Sequence, residues 1–356
     1  MKTLDIAFKL YDHYDQIEEI KAYYGLMAFY GLAQAAYEAK DPERLQQCRE
    51  VLAKYPDHVD HPHYSYTCYR YGGNAQAWAM YKGIIQNPEH RLAEFAELMM
   101  AQDKDEQGVL CLAGGSEMGQ IWIDSVTAIS PYMLFAGLVC QNQKYIDFAA
   151  DQCIGHCEAL WDESVNLINQ CRGFRGVKGL KSEDHWSRGN GWAYVGLADL
   201  LEYLPKESPK WERVKKIFCD LSEAIIKYQA DSGLWRQEIT VDSAWVESSG
   251  TALILYGLGI GLRTGILQGE KYEKAFKKGV EGLLRDCINE DFSTEHSCIG
   301  CMCPGKDEKK GTIEAYLTEK YAKHDEHHSF GAFMLALVEA HRNGYTEVCW
   351  ETRTLK

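Results

Sequence analysis

Six stretches of this sequence are apolar on every side of the helix that their spacing predicts, and such a helix must be enclosed by other helices. Each stretch begins with polar or glycine-rich residues that include aromatic side chains, and it continues with small and apolar residues. β-branched alternating runs are scarce, so the sequence predicts an all-α fold. The six stretches are residues 21–37, 69–84, 121–138, 186–201, 245–262 and 327–340.

Amphipathic, charge-rich helices are predicted between these stretches, as in residues 87–101, 142–160, 209–229 and 270–288. Enclosed and amphipathic helices alternate, and successive enclosed helices are roughly 50 to 80 residues apart. This pattern predicts an (α/α)6 barrel of six inner and six outer helices. A generic helical solenoid or bundle is the alternative. No Pro- or Gly-rich linker divides the chain, so we expect one domain over residues 1–356. In a closed barrel the inner-helix N-termini meet at one mouth.

The composition limits the partners and the compartment. A formal net charge of -14 disfavours nucleic acid and anionic membranes as partners, so local cations must hold an anionic ligand. Thirteen scattered cysteines in a chain of this length indicate reduced thiols rather than a disulfide framework. The N-terminal segment has no continuous apolar core of signal-peptide length, and no stretch is long enough to span a bilayer. We expect a cytoplasmic location, or a periplasmic one if a signal peptide has been removed.

The segment HWSRGNGWAYVGL opens one predicted inner helix with an unusual group of side chains. Trp186 and Trp192 offer flat apolar faces, and the planar guanidinium of Arg188 matches a carboxylate. Gly189 and Gly191 are expected to let the backbone approach a ligand closely. Since a helix N-terminus also favours negative charge, the segment predicts a site for a ring that carries an acid group.

A carboxyl group begins another predicted inner helix, where IWIDSVTAISPYM places Asp124 next to Trp122. An aspartate there is suited to an N-cap. Among apolar neighbours at a pocket mouth it would instead have a raised pKa, which suits a general acid. Glu247, in WVESSGTA, is a second carboxylate, a helix-start charge or a partner for Arg188, and the last two roles together are favoured.

A cysteine-rich stretch resembles a zinc site only in part. His296, Cys298, Cys301 and Cys303 are suitable ligand types, but the C-x2-C-x-C spacing is unusual and no second cysteine pair follows at the right distance. We expect no metal here, and interpret the stretch as a loop over the pocket mouth. No P-loop is present, and the lone Gly-Asn-Gly follows no predicted strand, so we expect no cofactor.

Five motifs, in order, resemble the unsaturated glucuronyl and rhamnogalacturonyl hydrolases of glycoside hydrolase families 88 and 105. They are IWIDSVTAISPYMLFAG, HWSRGNGWAYVGLADLLEYLP, SGLWRQ, WVESSGTALILYGLGIGLRTGIL and AYLTEKYAKHDEHHSFGAFMLALVEA. The resemblance implies an (α/α)6 barrel that binds a 4,5-unsaturated uronic acid at the non-reducing end of a lyase-generated oligosaccharide. It also implies that a carboxyl group protonates C4 while water adds at C5, after which the hemiketal opens and the glycosidic bond is lost. Neither a metal nor a nucleotide is required.

The resemblance assigns roles to individual residues of this chain. Asp124 corresponds to the family's catalytic aspartate. Arg188 and Trp192 correspond to residues that contact the unsaturated sugar, and Trp186 to the first tryptophan of the same motif. We therefore expect Asp124 to donate the proton, Arg188 to hold the uronate and Trp192 to stack on the ring, with Trp186 and Trp122 as further sugar contacts.

The sequence also departs from the family pattern. A second aspartate, at the start of the second inner helix, is absent from CYRYGGNAQAW, where Tyr69 or Asn74 would take its place. A histidine of the rhamnogalacturonyl branch is replaced by Ala113, and His185 is a candidate substitute in substrate binding. The loop before the arginine motif also differs, and it offers other anion contacts, namely Arg172, Arg175 and Lys178.

We predict a hydrolase that removes the unsaturated uronic acid from an oligosaccharide substrate by hydration of the C4=C5 double bond. One alternative is another (α/α)6 carbohydrate enzyme, either an ordinary glycosidase or a sugar epimerase. An epimerase would use paired histidines, here His185 with His327 or His328. The other alternative is a sugar-binding relative that has lost catalysis. The sequence gives no indication of the oligomeric state.

Overall fold

The structure, a computed structural model, describes residues 1–18, 20, 23–54, 67–86, 89–301 and 308–356. Thirteen α-helices and two short 3-10 helices, Thr67–Tyr71 and Ile226–Tyr228, lie within these residues. The α-helices are α1 (Thr3–Ile17), α2 (Tyr23–Ala39), α3 (Pro42–Lys54), α4 (Gly73–Tyr81), α5 (Glu89–Met100), α6 (Asp124–Val139), α7 (Gln143–Leu160), α8 (Ser187–Tyr203), α9 (Trp211–Ile225), α10 (Ser248–Arg263), α11 (Glu270–Asp286), α12 (Ile313–Glu319) and α13 (His327–Arg342).

Six of these helices form a closed inner ring. In ring order they are α2, α4, α6, α8, α10 and α13; each packs against the next, and α13 packs against α2. Helices α8 and α10 are buried along nearly their whole length, as the apolar sequence pattern requires. The outer helices α1, α3, α5, α7, α9 and α11 pack around the ring. The predicted all-α class and (α/α)6 barrel are confirmed, and α12 is an additional short helix.

Glycines let the inner helices approach one another closely. A Cβ atom on Gly191 of α8 would lie 2.7 Å from the Cβ of Leu253 on α10. A Cβ atom on Gly189 would lie 3.3 Å from both Ile123 and the Trp186 ring. The expectation that these two glycines bring the backbone close to a ligand was therefore wrong, because both lie within a helix and pack against protein atoms.

Five antiparallel pairs of two-residue strands lie in the segments outside the helices. They pair β1 (Ile121–Trp122) with β4 (Cys171–Arg172), β2 (Trp161–Asp162) with β3 (Leu167–Ile168), β5 (Trp235–Arg236) with β6 (Val246–Glu247), β7 (Ser297–Cys298) with β8 (Ala322–Lys323) and β9 (Val348–Cys349) with β10 (Thr354–Leu355). Strand β6 runs directly into α10, and β1 ends one residue before α6. These strand pairs therefore hold the loops in place at the N-terminal ends of inner helices.

The C-terminal ends of the inner helices meet in a network of ion pairs. Arg263, at the end of α10, lies 2.8 Å from Glu202 of α8 and 3.1 Å from Glu339 of α13. Arg342 of α13 lies 2.8 Å from Glu38 of α2. The inner helices therefore run in the same direction, and their N-terminal ends meet at the other end of the barrel.

Two observations bear on the expected compartment. Among the described residues, no helix combines the length and the hydropathy that a bilayer crossing needs. None of the twelve cysteines within the same residues is in a disulfide with another of them. The cytoplasmic location and the single domain over residues 1–356 stay predictions.

Candidate active site

A cleft lies at the N-terminal ends of the inner helices. The volume between its lining atoms, including the part that is open to solvent, is about 340 Å³. Four of the residues that line it were predicted from the sequence. Three of them lie on α4, α6 and α8, and the fourth lies on the short 3-10 helix before α4. Of the described residues, those that line the cleft are Tyr23, Met27, Tyr69, Asn74, Asp124, Thr127 and Trp192.

Asp124 is the first residue of α6, and the N-cap position is occupied by Ile123. The Asp124 side chain borders the cleft, while its Oδ2 atom is buried and has no hydrogen-bond partner among the described residues. Burial raises the pKa of Asp124 to about 6, although its own main-chain N–H and the charge of Arg188 act in the opposite direction. A carboxyl group with this pKa retains some proton near neutral pH, which a general acid requires.

Arg188 lies in the first turn of α8 and is only 1% exposed. Its Nη1 donates to the Ser249 hydroxyl at 2.9 Å and to the Cys298 carbonyl oxygen at 2.7 Å. The carboxylates of Glu247 and Glu326 each lie 3.9 Å from Nη1. Its Nε and Nη2 are buried with no partner in the described part of the chain. These two N–H groups form the guanidinium edge that can bind a carboxylate with two hydrogen bonds.

Glu247 caps α10 and also neutralises Arg188. Its carboxylate accepts hydrogen bonds from the main-chain N–H groups of Ser249 at 3.0 Å and Gly250 at 2.6 Å. It accepts a third from the Cys298 N–H at 3.0 Å. Glu247 is therefore both a charge at the start of a helix and a partner for Arg188, the two roles that the sequence analysis favoured. Because its oxygens are occupied, Glu247 holds the surroundings of Arg188 in place.

The two other predicted tryptophans lie beside the cleft rather than in its described lining. Trp186 is 1% exposed, and its ring centre lies 4.5 Å from the guanidinium of Arg188 and 6.0 Å from the ring centre of Tyr316. Trp122 stacks on Phe174 with 6.0 Å between the ring centres. Trp186 supports Arg188, and the sugar contacts expected for both tryptophans stay predictions.

His185 also lies outside the described lining of the cleft. Its Nε2 atom is 3.0 Å from a carboxylate oxygen of Asp162, and burial lowers its pKa. Its suggested role in place of a family histidine stays a prediction. The three cations of the altered loop each face a carboxylate: Arg172 pairs with Asp105, Arg175 with Glu183 at 2.8 Å, and Lys178 with Glu106 at 2.6 Å.

The cysteine-rich stretch contributes its backbone to the site. Besides the Arg188 contact of the Cys298 carbonyl, the His296 carbonyl accepts a hydrogen bond from the Ser248 N–H at 2.9 Å. Within the described ranges, no three His, Cys, Asp or Glu side chains are grouped so as to hold a metal ion. Cys303 lies outside the described residues.

The sequence analysis missed a buried pair of acids behind the cleft. Residues 185–187 pair antiparallel with 237–239, with Trp186 opposite Glu238. Alternate residues of a strand share a face, so Asp184 lies on the same face as Trp186. Because Trp186 is directly opposite Glu238, Asp184 is the diagonal neighbour of Glu238 on that face. Burial raises the pKa of Asp184 to about 7, and the nearby charge of Asp124 acts in the same direction. Burial also raises the pKa of Glu238 well above its usual value, and the charge of Asp184 adds to this shift. In sequence these acids resemble ordinary surface charges.

A second group that the sequence analysis did not assemble centres on Tyr23. Its hydroxyl is hydrogen-bonded to Nε2 of His328, whose Nδ1 lies 2.8 Å from Glu326. The Tyr23 ring also lies 6.0 Å from Tyr69 and 6.4 Å from Trp192. His328 appeared in the sequence analysis only as an epimerase candidate, because no spacing rule connects a residue of α13 with one of α2.

Comparisons with known proteins agree with this architecture. The sequence profile described as Glycosyl Hydrolase Family 88 matches residues 7–344. An unsaturated 3S-rhamnoglycuronyl hydrolase of Formosa agariphila is 29% identical over 188 residues, which are 50% of each protein. An unsaturated rhamnogalacturonyl hydrolase of Bacillus subtilis, YesR, is 27% identical over 172 residues, 48% of this chain and 47% of YesR. The chain thus spans about half the length of the curated relatives it matches.

Solved structures extend the likeness in fold over nearly the whole chain. A family 105 glycoside hydrolase of C. acetobutylicum gives a TM-score of 0.79 at 21% identity and covers 94% of this chain and 99% of its own. The unsaturated glucuronyl hydrolase of Bacillus sp. GL1 gives a TM-score of 0.69 at 13% identity and covers 96% of both chains. Since the matched profile runs from within α1 to just beyond α13, this chain belongs to glycosyl hydrolase family 88.

Proposed function

We propose that this protein hydrates the C4=C5 double bond of a 4,5-unsaturated uronic acid at the non-reducing end of an oligosaccharide and so releases that sugar. The observation that carries the proposal is Asp124, a carboxyl of raised pKa at the cleft, near enough to the buried Arg188 for that charge to act on its pKa, while Nε and Nη2 of Arg188 have no partner in the described structure. A proton donor and a carboxylate-binding edge are the two groups that this reaction needs first.

The chemistry balances with one water molecule. The Asp124 proton moves to C4, and the oxygen of water bonds to C5 while its proton is taken up by the protein. The hemiketal formed at C5 opens, and the glycosidic bond is lost in the rearrangement. Arg188 holds the carboxylate at C5, and Trp192, which lines the cleft, supplies an apolar face for the sugar ring.

The names of the relatives support a substrate class. They describe hydrolases of unsaturated rhamnoglycuronyl and rhamnogalacturonyl compounds. One solved structure of the same fold is described as a variant with dGlcA-Glc-Rha-Glc. We infer that the substrate is a lyase product with an unsaturated uronate at its end, and that a uronyl-rhamnose linkage is the first to test.

The test uses unsaturated disaccharides that lyases generate from pectic, ulvan-like and glycosaminoglycan polymers. The wild-type protein should remove the ultraviolet absorbance of the conjugated double bond for at least one of them. Asp124→Asn should lower kcat about 10³-fold, whereas Asp147→Asn, on the outside of α7, should have no effect. Equal activity of wild type and Asp124→Asn would contradict the proposal.

The same experiment separates the alternatives. A sugar-binding relative without catalysis is favoured by one observation: an amide, Asn74, lines the cleft where the family resemblance expects a second carboxylate. Such a protein would bind one disaccharide saturably without any loss of absorbance. An epimerase would leave the mass of the product unchanged, whereas a hydrolase adds water and divides the disaccharide.

A further inference from the structure

We propose that Tyr23, hydrogen-bonded to His328 and through it to Glu326, is the base that takes the proton from the attacking water. This inference rests on the proposed function and concerns the half of the reaction in which the attacking water loses its proton. Tyr23 would be a catalytic residue, because it lines the cleft together with Asp124. His328 and Glu326 would be positioning residues that act through it.

The three side chains form a continuous hydrogen-bonded chain that ends at the cleft. The Tyr23 hydroxyl bonds to Nε2 of His328, and Nδ1 of His328 lies 2.8 Å from both carboxylate oxygens of Glu326. His328 is 8% exposed and Glu326 is 3% exposed. A nucleophile or proton acceptor, a histidine and an orienting carboxylate in this order are the arrangement by which proteins activate weakly acidic hydroxyl groups.

The charges around His328 determine which nitrogen carries its proton. Burial raises the pKa of Glu326, but the hydrogen bond with His328 and the charge of Arg188 lower it below its usual value, so Glu326 is ionised and accepts from Nδ1–H. Burial and the charge of Arg188 lower the pKa of His328 and keep the ring neutral. The other groups that face the ring are Tyr24, at 5.7 Å, and His327, at 6.2 Å between ring centres. Nε2 is therefore left as the acceptor for Tyr23.

The proposed step moves one proton along this chain. As the water oxygen bonds to C5, the water proton passes to the Tyr23 oxygen and the phenol proton passes to Nε2 of His328. The resulting imidazolium lies against ionised Glu326, which stabilises it. Asp124 has given its proton to C4, so the protein returns to its starting state when His328 releases a proton and Asp124 regains one from solvent. The net reaction consumes one water molecule.

The cleft offers a reason why this chain would use a tyrosine. Asn74 lines the cleft, and its amide nitrogen is buried with no partner in the described structure. An amide does not accept a proton at neutral pH. A proton acceptor other than Asp124 would therefore have to be another lining residue, and Tyr23 is connected to a histidine and a carboxylate.

The test measures kcat, KM and the pH dependence of kcat/KM for Tyr23→Phe, His328→Gln and the double variant on the disaccharide that the wild type consumes. We expect each single variant to lower kcat by 10²- to 10³-fold with little change in KM, and the double variant to be no slower than Tyr23→Phe. Glu326→Asp should retain more activity than Glu326→Gln. The matched controls are Tyr37→Phe on α2 and His341→Gln on α13, which lie at the far ends of the same helices and should match the wild type.

A second measurement does not depend on turnover. The NMR signals of the His328 ring, assigned with His328→Gln, should show the Nδ1–H tautomer, and Tyr23→Phe should change its titration. If the losses of kcat in the two single variants multiply in the double variant, the inference is overturned while the proposed function stands. A kcat of Tyr23→Phe within twofold of the wild type would have the same consequence. A wild type that consumes none of the disaccharides would overturn the proposed function and the catalytic role of Tyr23 together.

Discussion

The guanidinium of Arg188 lies 4.5 Å above the ring of Trp186, so the cation is held from one side by an aromatic face and from its Nη1 end by Ser249 and Cys298. Only the Nε and Nη2 edge has no partner in the described structure. A cation constrained in this way would bind a planar anion with little loss of side-chain freedom, which lowers the entropy cost of binding.

Replacing Arg188 with lysine should therefore weaken substrate binding more than it affects the chemical step. Lysine keeps the charge but offers a single ammonium group in place of the planar, two-point edge. We expect KM to rise by at least about tenfold, with a smaller loss in kcat. Steady-state kinetics on the consumed disaccharide check this. An unchanged KM would mean that Arg188 does not hold the uronate.

Asn74→Asp should shift the pH profile of the reaction. Because the pKa of Asp124 is raised to about 6, the wild-type rate should fall as the pH rises above about 6 and the proton is lost. A second carboxylate in the same cleft would raise the pKa of Asp124 further, since two nearby negative charges repel. The descending limb of kcat/KM should move to higher pH by about one unit. Asn74→Ala is the control, and its limb should stay near that of the wild type.

Asp184 should make the protein less stable as the pH rises. The pKa of Asp184 is raised from 3.8 to about 7 by burial, so its stabilising contribution is complete below about pH 4 and is lost as the pH rises through about 7. Asp184→Asn should therefore raise Tm at pH 8 by several degrees and leave it nearly unchanged at pH 4. Thermal unfolding monitored by circular dichroism measures both.

The control for this change is the exposed Asp231, which when replaced by asparagine should leave Tm unchanged at both pH values. A lower Tm of Asp184→Asn at pH 8 would show that the ionised carboxylate is stabilised by its surroundings, contrary to the raised pKa.

The fold could be predicted from the sequence because each inner helix is apolar on all sides, and this pattern can be recognised within a single segment. A segment such as residues 245–262 has no polar face, and only a ring of neighbours can bury it, as α10 shows. Asp124 and Trp192 were also predictable, since each lies at the start of such a segment and the inner-helix starts meet at the cleft.

The rest of the site depends on contacts between segments distant in the sequence. Glu238 appears in sequence as a loop residue, and only its pairing with Trp186 places it behind the cleft. The Nη1 contact of Arg188 is with a carbonyl oxygen, which has no signature in the sequence. Tyr23 is one tyrosine among twenty-two, and its contact with His328 depends on how the ring closes.

The closure of the ring also bears on when the protein acquires its activity during synthesis. Tyr23 and His328 are 305 residues apart, and the contact of α13 with α2 is the one that joins the last inner helix to the first. A ribosome would therefore have to release the segment that forms α13 before these side chains could meet. A nascent chain that has formed five inner helices would hold Asp124 and Arg188 but not the Tyr23–His328 pair, so the proposed proton-transfer chain would be incomplete until α13 emerged and docked.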